Sequence, residues 1–384
     1  MRAGWQTKTL GNLCDILDNR RMPITKCDRK AGPYPYYGAT GILDYVDGYL
    51  FDEPLILVGE DGAKWASGDN TAFAVEGKCW VNNHAHVLRP HRSVLLDNWL
   101  IHFLVHSDLS EFVSGLTVPK LNQGSLREIS LPVPPLPEQQ RIVTLLDEAF
   151  DGIATAKANA EKNLENARAV FESHLQSVFT QNGEGWTRTT LGKATGGVFT
   201  GPFGSLLHKS DYVENGIPLV NPAHITDVGI EPDMRKTVSE ATAWKLSNYI
   251  MRKGDVVIGR RGEMGRCALV TDIEDGWLCG TGSFYIKPSP RCDSGYLVRF
   301  LRSDACKRRL EKIAGGAVMP NLSNTDLRNL SFDLPSLEMQ KTIGDEIDKV
   351  ATETQRLESI YQQKLTALDE LKKSLLAQAF NGLL

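Results

Sequence analysis

Long apolar runs are missing from this 384-residue chain: no stretch approaches the roughly 18 consecutive apolar residues that a membrane helix needs, and the opening MRAGWQTKTL has no secretory apolar core. A soluble, cytoplasmic protein is therefore expected. Cysteine is scarce and scattered. Cys14, Cys27, Cys79, Cys267, Cys279, Cys292 and Cys306 form an odd set with no Cys-x-x-Cys pair, which argues against a zinc ribbon and for reduced, separately buried thiols. Catalytic signatures are missing too. There is no Walker A run, no nucleophile elbow and no His-Glu-x-x-His, and Asn221-Pro222 continues into Ala223 and His224 rather than the Pro-aromatic pair of amino-methyltransferases. The His84-Ala85-His86 pair lacks a third ligand, so no metal site is expected there.

What the chain does have is one unit used twice. PKLNQGSLREISLPVPPL (Pro119 to Leu136) recurs without a gap as PNLSNTDLRNLSFDLPSL (Pro320 to Leu337), and GWQTKTLG (Gly4 to Gly11) returns as GWTRTTLG (Gly185 to Gly192). Between them LILVGEDG (Leu55 to Gly62) answers DVVIGRRG (Asp255 to Gly262), and WLIHFL (Trp99 to Leu104) answers YLVRFL (Tyr296 to Leu301). The register is 181 residues at the start and 201 at the end, so the second unit carries about 20 more, mostly before its glycine loop. So long a period excludes a solenoid or propeller and implies two similar globular domains, each large enough to bury a core.

The net charge of −4 hides a contrast between segments. Residues 1–131 balance to −2, 132–185 to −4, 186–331 to +5 and 332–384 to −3. Only the second globular unit is basic, although a groove can be basic inside a neutral domain. The acidic segments are expected to face protein rather than DNA.

Each unit ends in a proline-containing strip, Leu131 to Pro137 and Asp333 to Ser336, followed by a long segment without proline. In the first, apolar residues step by three or four through Ile142, Leu146, Ala149, Ile153, Ala156, Ala160, Leu164, Ala167, Phe171, Leu175 and Val178. The second repeats the pattern through Ile343, Ile347, Val350, Thr354, Leu357, Tyr361, Leu365, Leu368, Leu371, Leu375 and Ala379. Such stripes predict two long helices, the first about 60 Å in length, that pack together, with Glu161, Glu165, Glu353 and Glu358 on polar faces. The globular parts read as short strands such as LILVG, VVIG, FYIKP and HVLRP between Gly, Pro and Asn turns, with short helices at Trp99 to Val105 and Tyr296 to Leu301. The fold class is α+β: two similar strand-rich domains, 1–137 and 183–336, with long antiparallel coiled-coil helices at 138–182 and 337–384, in a pseudo-two-fold arrangement.

The glycine loop GRRGEMG (Gly259 to Gly265) follows a strand but leads into another β-rich run, CALV, instead of the helix a nucleotide cradle requires. Its counterpart places Glu60 and Asp61 where Arg260 and Arg261 stand, a swap no phosphate cradle would tolerate. A fixed backbone with variable side chains suits recognition. The candidate DNA-contacting residues are Tyr36, Tyr37, Thr40, Lys64, Asn82, Asn83 and His84 in the first unit, and Ser205, Lys209, Asn221, His224, Arg260, Arg261 and Arg266 in the second. Arginine suits guanine, asparagine suits adenine, and lysine or serine holds phosphate.

These features together resemble the specificity subunit of type I restriction-modification systems. The resemblance is carried by the Trp/Leu-Gly unit starts, GPFGSLLHKSDY (Gly201 to Tyr212), GDVVIGRRGEMG, the proline strips and PPLPEQQRI (Pro134 to Ile142), while LPSLEMQKTI at the second helix departs from the usual Glu-Gln-Gln-Arg-Ile. It implies two target-recognition domains that each read one half of a split, asymmetric DNA sequence, with the helices as spacer. It also implies partners, namely double-stranded DNA, two modification subunits and two restriction subunits with motor activity. S-adenosylmethionine, ATP and magnesium would bind those subunits and not this chain. Gln139, Gln140, Arg141, Ile142, Gln340, Lys341 and Ile343, at the helix openings, are the implied subunit contacts. Two other classes fit the bare residues: a coiled-coil adaptor that binds no DNA, and a two-lobed nuclease or methyltransferase acting alone.

Overall fold

The computed structural model describes residues 4–115, 117–180, 185–202, 206–315 and 321–384. It divides into a first unit, Met1–Lys162 with Tyr361–Leu384, and a second, Asn163–Ile360. Each is built on a four-stranded antiparallel sheet. In the first unit the order is Cys14–Ile16, Ala85–Pro90, Leu55–Gly59 and Ala72–Val75; in the second it is Val198–Thr200, Ser283–Ile286, Val256–Gly259 and Cys267–Leu269. A second sheet in each contains one parallel pairing, Ala31–Gly38 beside Lys78–Val81 and Ile217–Val220 beside Leu278–Cys279. The first strand of each unit pairs with its last, Gln6–Thr9 with Ser130–Val133 and Thr187–Thr190 with Ser331–Leu334. The repeated sequence is thus a repeated topology.

The unbroken apolar run Leu55 to Val58 is explained by a strand buried on both faces, because alternate side chains enter different cores. Ile56 and Val58 join Leu88, Trp99 and Leu104 in a core on the helix side, whereas Leu55 and Leu57 join Val81 and Val87 under the second sheet. Val256 and Ile258 separate from Val257 in the same way in the second unit.

The long helices are Leu136–Thr180 and Leu337–Phe380, and Pro137 is accommodated in the first turn, where its missing N–H costs nothing. They run antiparallel. Partners rise along one helix as they fall along the other: Lys157 meets Asp369 at 2.5 Å in the first unit and Arg168 meets Glu358 at 2.7 Å in the second, so Glu358 is an interhelical partner rather than part of a free polar face. The expected stripe is buried or half-buried throughout except at Leu371, which is 46% exposed. The stripe has turned by one position there, as a 3.6-residue helix drifts against a seven-residue repeat, and the Lys372 ammonium lies 4.9 Å from the Phe150 ring centre instead. Among the described residues no helix is long and apolar enough to cross a membrane. The seven cysteines are free, and burial pushes thiols such as Cys14 and Cys79 up to about 12 and about 11.

Each unit takes its core from the opening of one long helix and the end of the other. Ile142 and Leu146 meet Leu376 and Ala379 in the first unit, and Ile343 and Ile347 meet Leu175 in the second. Phe380 packs edge-on against Trp99 at 4.8 Å as Phe179 packs against Tyr296 at 5.6 Å. The opening turns are clamped by equivalent glutamines with no exposed surface. Gln139 accepts from the Leu96 amide (2.9 Å) and donates to the carbonyls of Val94 (2.9 Å) and Pro134 (2.8 Å). Gln340 does the same with Asp293 (2.8 Å), Arg291 (2.9 Å) and Pro335 (2.9 Å).

This corrects the expectation that Gln139, Gln340, Ile142 and Ile343 meet other subunits, since all four are interior to this chain. Gln140, Arg141 and Lys341 remain exposed. Gln139→Ala would strand three backbone groups without partners, at a cost of about 1–3 kcal/mol. The expected outcome is a lower unfolding midpoint together with faster amide exchange at Leu96. A variant that keeps the wild-type midpoint and exchange would show that the clamp contributes nothing.

Candidate nucleic-acid interface

Three turns converge beyond the end of the central strand in each unit. In the first they are Ala39–Thr40, Glu60–Ala63 and Asn82–His84. A Cβ on Gly59 would lie 2.4 Å from the Ala63 Cβ and 3.1 Å from the Ala39 carbonyl, and the Glu60 amide donates to the His84 carbonyl at 2.8 Å. In the second unit Asn221–Pro222, Arg260–Gly262 and Gly280–Gly282 meet likewise. There Pro222 lies 3.1 Å from where a Gly259 Cβ would stand, Asn221 Oδ1 accepts from the Gly282 amide at 3.3 Å, and the Arg260 amide donates to Gly282 at 2.9 Å.

The two glycine loops share one backbone frame. The Glu60 carbonyl accepts from Leu121 at 2.8 Å and that of Arg260 from Leu322 at 2.9 Å, while Asp61 bridges Lys120 as Arg261 bridges Asn321. Gly62 and Gly262 both adopt left-handed backbone, φ +69° and +80°, which glycine alone accepts without strain. The sequence reading missed Lys120 and Asn321 as members of the site. The signal was present, because the repeat PKLN and PNLS puts them in register.

The side chains on this frame have opposite charge. Arg260 is half-buried, donates to Asn321 Oδ1 at 3.2 Å and lies 5.4 Å from the Phe284 ring centre; burial, and then the Arg261 charge, pull its guanidinium below the ordinary value. Arg261 is exposed, and no side-chain hydrogen bond of its own is found among the described residues. Arg266 is tied to Glu263 at 2.6 Å. In the first unit the carboxylates have partners within the fold. Glu60 receives Arg21 and, at 2.8 Å, Lys120, and Asp61 receives His84. Beneath them His86 has no exposed surface and is held between Asp18 Oδ2 at 2.6 Å and the Leu121 carbonyl at 2.7 Å. Asp18, Glu60 and His86 are close enough to share a cation, but the Arg21 guanidinium already contacts both carboxylates.

The remaining expected residues divide by position. Thr40, Lys64, Asn83 and His84 are exposed in the first cluster, and Tyr37 is half-buried at its edge, where its carbonyl accepts from Asn82 at 3.0 Å. Tyr36 and Asn82 are 1% and 2% exposed and serve the fold itself. The Tyr36 hydroxyl accepts from the Ile24 amide at 3.0 Å, and Asn82 Oδ1 accepts from the His84 amide at 2.8 Å. Buried side chains of this kind cannot reach a base, which corrects the expectation for these two. In the second unit His224 Nδ1 lies 2.8 Å from the Leu219 carbonyl, holding the turn that carries Asn221. Lys209 is exposed on a separate short 3-10 helix, and Ser205 lies outside the described residues.

Comparison with known proteins adds a family to this geometry. The sequence model described as Type I restriction modification DNA specificity domain matches residues 2–166 and 200–367. A type I restriction enzyme specificity subunit of Haemophilus influenzae is 27% identical over 349 residues, covering 90% of this chain and 88% of the relative. The MjaVIII specificity subunit of Methanocaldococcus jannaschii is 22% identical, covering 98% and 92%. Among solved structures, the HsdS subunit from Thermoanaerobacter tengcongensis superposes with a TM-score of 0.66 at 18% identity, covering 100% of this chain and 98% of that one. A chain from a study of complex assembly and conformational transition of the type I R-M system gives 0.75 at 17% identity, covering 100% and 99%.

The buried charges under the first loop generate a pH prediction. Burial alone would push the Asp18 carboxyl up, but hydrogen bonds from His86 and the Val87 amide, with the charges of His86 and Arg21, outweigh it and hold the carboxyl below its ordinary 3.8. A carboxyl held low in the fold stabilises it above that value, and the contribution is lost as pH falls through the lowered one. Asp18→Asn should destabilise the protein near neutral pH by about 3–5 kcal/mol, as expected for breaking a buried charge set. Thermal melts should show the gap from wild type closing below pH 3.8. A gap independent of pH would mean that the pairing is not its source.

Proposed function

Because the chain belongs to the type I restriction modification DNA specificity family, whose sequence model spans both of its units, we propose that it reads a split DNA sequence and delivers that specificity to modification and restriction subunits. Each unit reads one half-site. The observation that carries this reading is one backbone frame presented twice with different side chains, Glu60 and Asp61 in one unit and Arg260 and Arg261 in the other. Different side chains on one frame make the two halves of the site different, so the motif is asymmetric. Arg261 is the foremost base or phosphate contact of the second unit, since it is exposed and has no side-chain hydrogen-bond partner among the described residues, while Arg260 is partly engaged within the fold.

On this reading the chain is a non-catalytic subunit of a cytoplasmic complex. Two modification subunits supply S-adenosylmethionine and adenine methylation, and two restriction subunits supply ATP-driven, magnesium-dependent translocation and cleavage. Gln140, Arg141 and Lys341, exposed at the helix openings, are available to such partners. Each long helix belongs partly to each unit, so helix length is the quantity that sets the number of unread base pairs.

The decisive experiment is single-molecule sequencing of host DNA with and without the gene, scored for methylated adenine. Deletion should abolish one split, asymmetric motif, and an unchanged methylation pattern in a host whose modification subunit is expressed would reject the proposal. Arg261→Ala should relax one half-site only, with about 1–3 kcal/mol of discrimination lost if a bidentate guanine contact is removed. Equal weakening on all sequences would identify a phosphate contact instead. Inserting seven residues in both long helices, about 10 Å of rise, should lengthen the tolerated spacer and leave both half-sites unchanged; the same spacer as wild type would show that the helices are not the ruler.

A further inference from the structure

The first unit carries an acidic residue where the second carries its most available arginine, and the frame around the two positions is the same. In both loops the first residue of the pair turns inward and is consumed by the fold. Glu60 is 7% exposed and bound by Arg21 and Lys120, and Arg260 is bound by Asn321. The second residue of each pair is the more open one. Arg261 is exposed, and the Asp61 side chain keeps 19% of its surface. One Asp61 oxygen is met by His84 Nδ1, while the other lies 3.9 Å from the Lys120 ammonium, beyond hydrogen-bonding distance, and keeps accepting capacity.

We propose that Asp61 is the specificity-determining residue of the first unit, at the position Arg261 holds in the second, and that it reads the exocyclic amino group of a cytosine or an adenine. The inference rests on the reading of the chain as a DNA specificity subunit. An ionised carboxylate only accepts hydrogen bonds. On the major-groove edges the donors are cytosine N4 and adenine N6, whereas guanine and thymine turn acceptors outward, which Asp61 would repel and Arg261 would select. The Lys120 ammonium beside the carboxylate offsets the repulsion that DNA phosphates would otherwise exert on it.

The test uses the full chain assembled with its modification subunits and duplexes carrying its own motif. In each duplex one exocyclic amino group of the first half-site is replaced by hydrogen, with purine in place of adenine or 2-pyrimidinone in place of cytosine. Wild-type complex should lose about tenfold in binding at one such position, the size of a single lost base contact, and the base replaced there says whether cytosine or adenine is read. Asp61→Ala, which leaves no acceptor at that place, should bind the altered and unaltered duplexes equally at that position and keep the second half-site. No sensitive amino group in the wild type, or equal sensitivity in Asp61→Ala, would overturn the assignment. The wild-type arm needs no variant to fold. A wild-type complex without preference for any sequence would instead reject the function on which the inference rests.

Discussion

Neither globular unit closes its core with its own strands and short helices. Each needs the first turns of one long helix and the last turns of the other, with Ile142, Leu146, Leu376 and Ala379 in the first unit and Ile343, Ile347 and Leu175 in the second. Fully burying an isoleucine or leucine side chain contributes about 1.5–3 kcal/mol. Helix and domain are therefore one cooperative structure rather than a rod with attachments. The buried Gln139 and Gln340 add direction to this packing, because each side chain satisfies three backbone groups of its own unit. Cross-links differ in chemistry while keeping their place: His102 meets Asp147 at 2.8 Å where Arg299 meets Asp348 at 3.0 Å.

The candidate recognition frame follows the opposite rule. Its backbone is held by buried strands and by amide-to-carbonyl bonds repeated in both units, and its side chains are free to differ. Burial on both faces makes the strands Leu55–Gly59 and Val256–Gly259 intolerant of change. The residues just beyond them, Glu60 and Asp61 in one unit and Arg260 and Arg261 in the other, are where the two units differ in charge. Glu60 and Arg260 show the intermediate case. Each is inward, and each has recruited partners of its own, Arg21 and Lys120 for one and Asn321 for the other.

Much of this was legible in the residues. The doubling, the long helices and the strands of the central sheets all follow from repeats and from periods of two and 3.6, which report backbone geometry directly. What was not legible depends on where a polar side chain points. A glutamine in the first turn of a helix reads as exposed, and nothing local reveals that the chain before Asp97 and Ser294 wraps back over Gln139 and Gln340. Tyr36 and Asn82 misled for the same reason, because polar residues near turns can be structural as readily as functional. Leu371 fell out of the stripe because helix phase accumulates over ten turns. The arginine pair and the acidic pair were legible as a contrast; that the contrast is neutralised in one unit and open in the other required the positions of Arg21 and Lys120.

That difference bears on how a chain of net charge −4 can engage DNA. Residues 1–131 balance to −2, yet the carboxylates at the first loop are paired with Arg21 and Lys120, so the loop presents a mixed surface and not a repulsive one. Residues 186–331 balance to +5 and include Arg261, which has no side-chain hydrogen-bond partner among the described residues. Attraction to phosphate, which is long-ranged and sequence-blind, then falls mainly on the second unit. On the proposed reading, once that unit holds the duplex the first would meet its half-site at high effective concentration, where a short-ranged acceptor that repels wrong bases is of more use than further positive charge. An acidic residue in a recognition loop is thus compatible with DNA binding when the other unit of the same chain supplies the electrostatic hold.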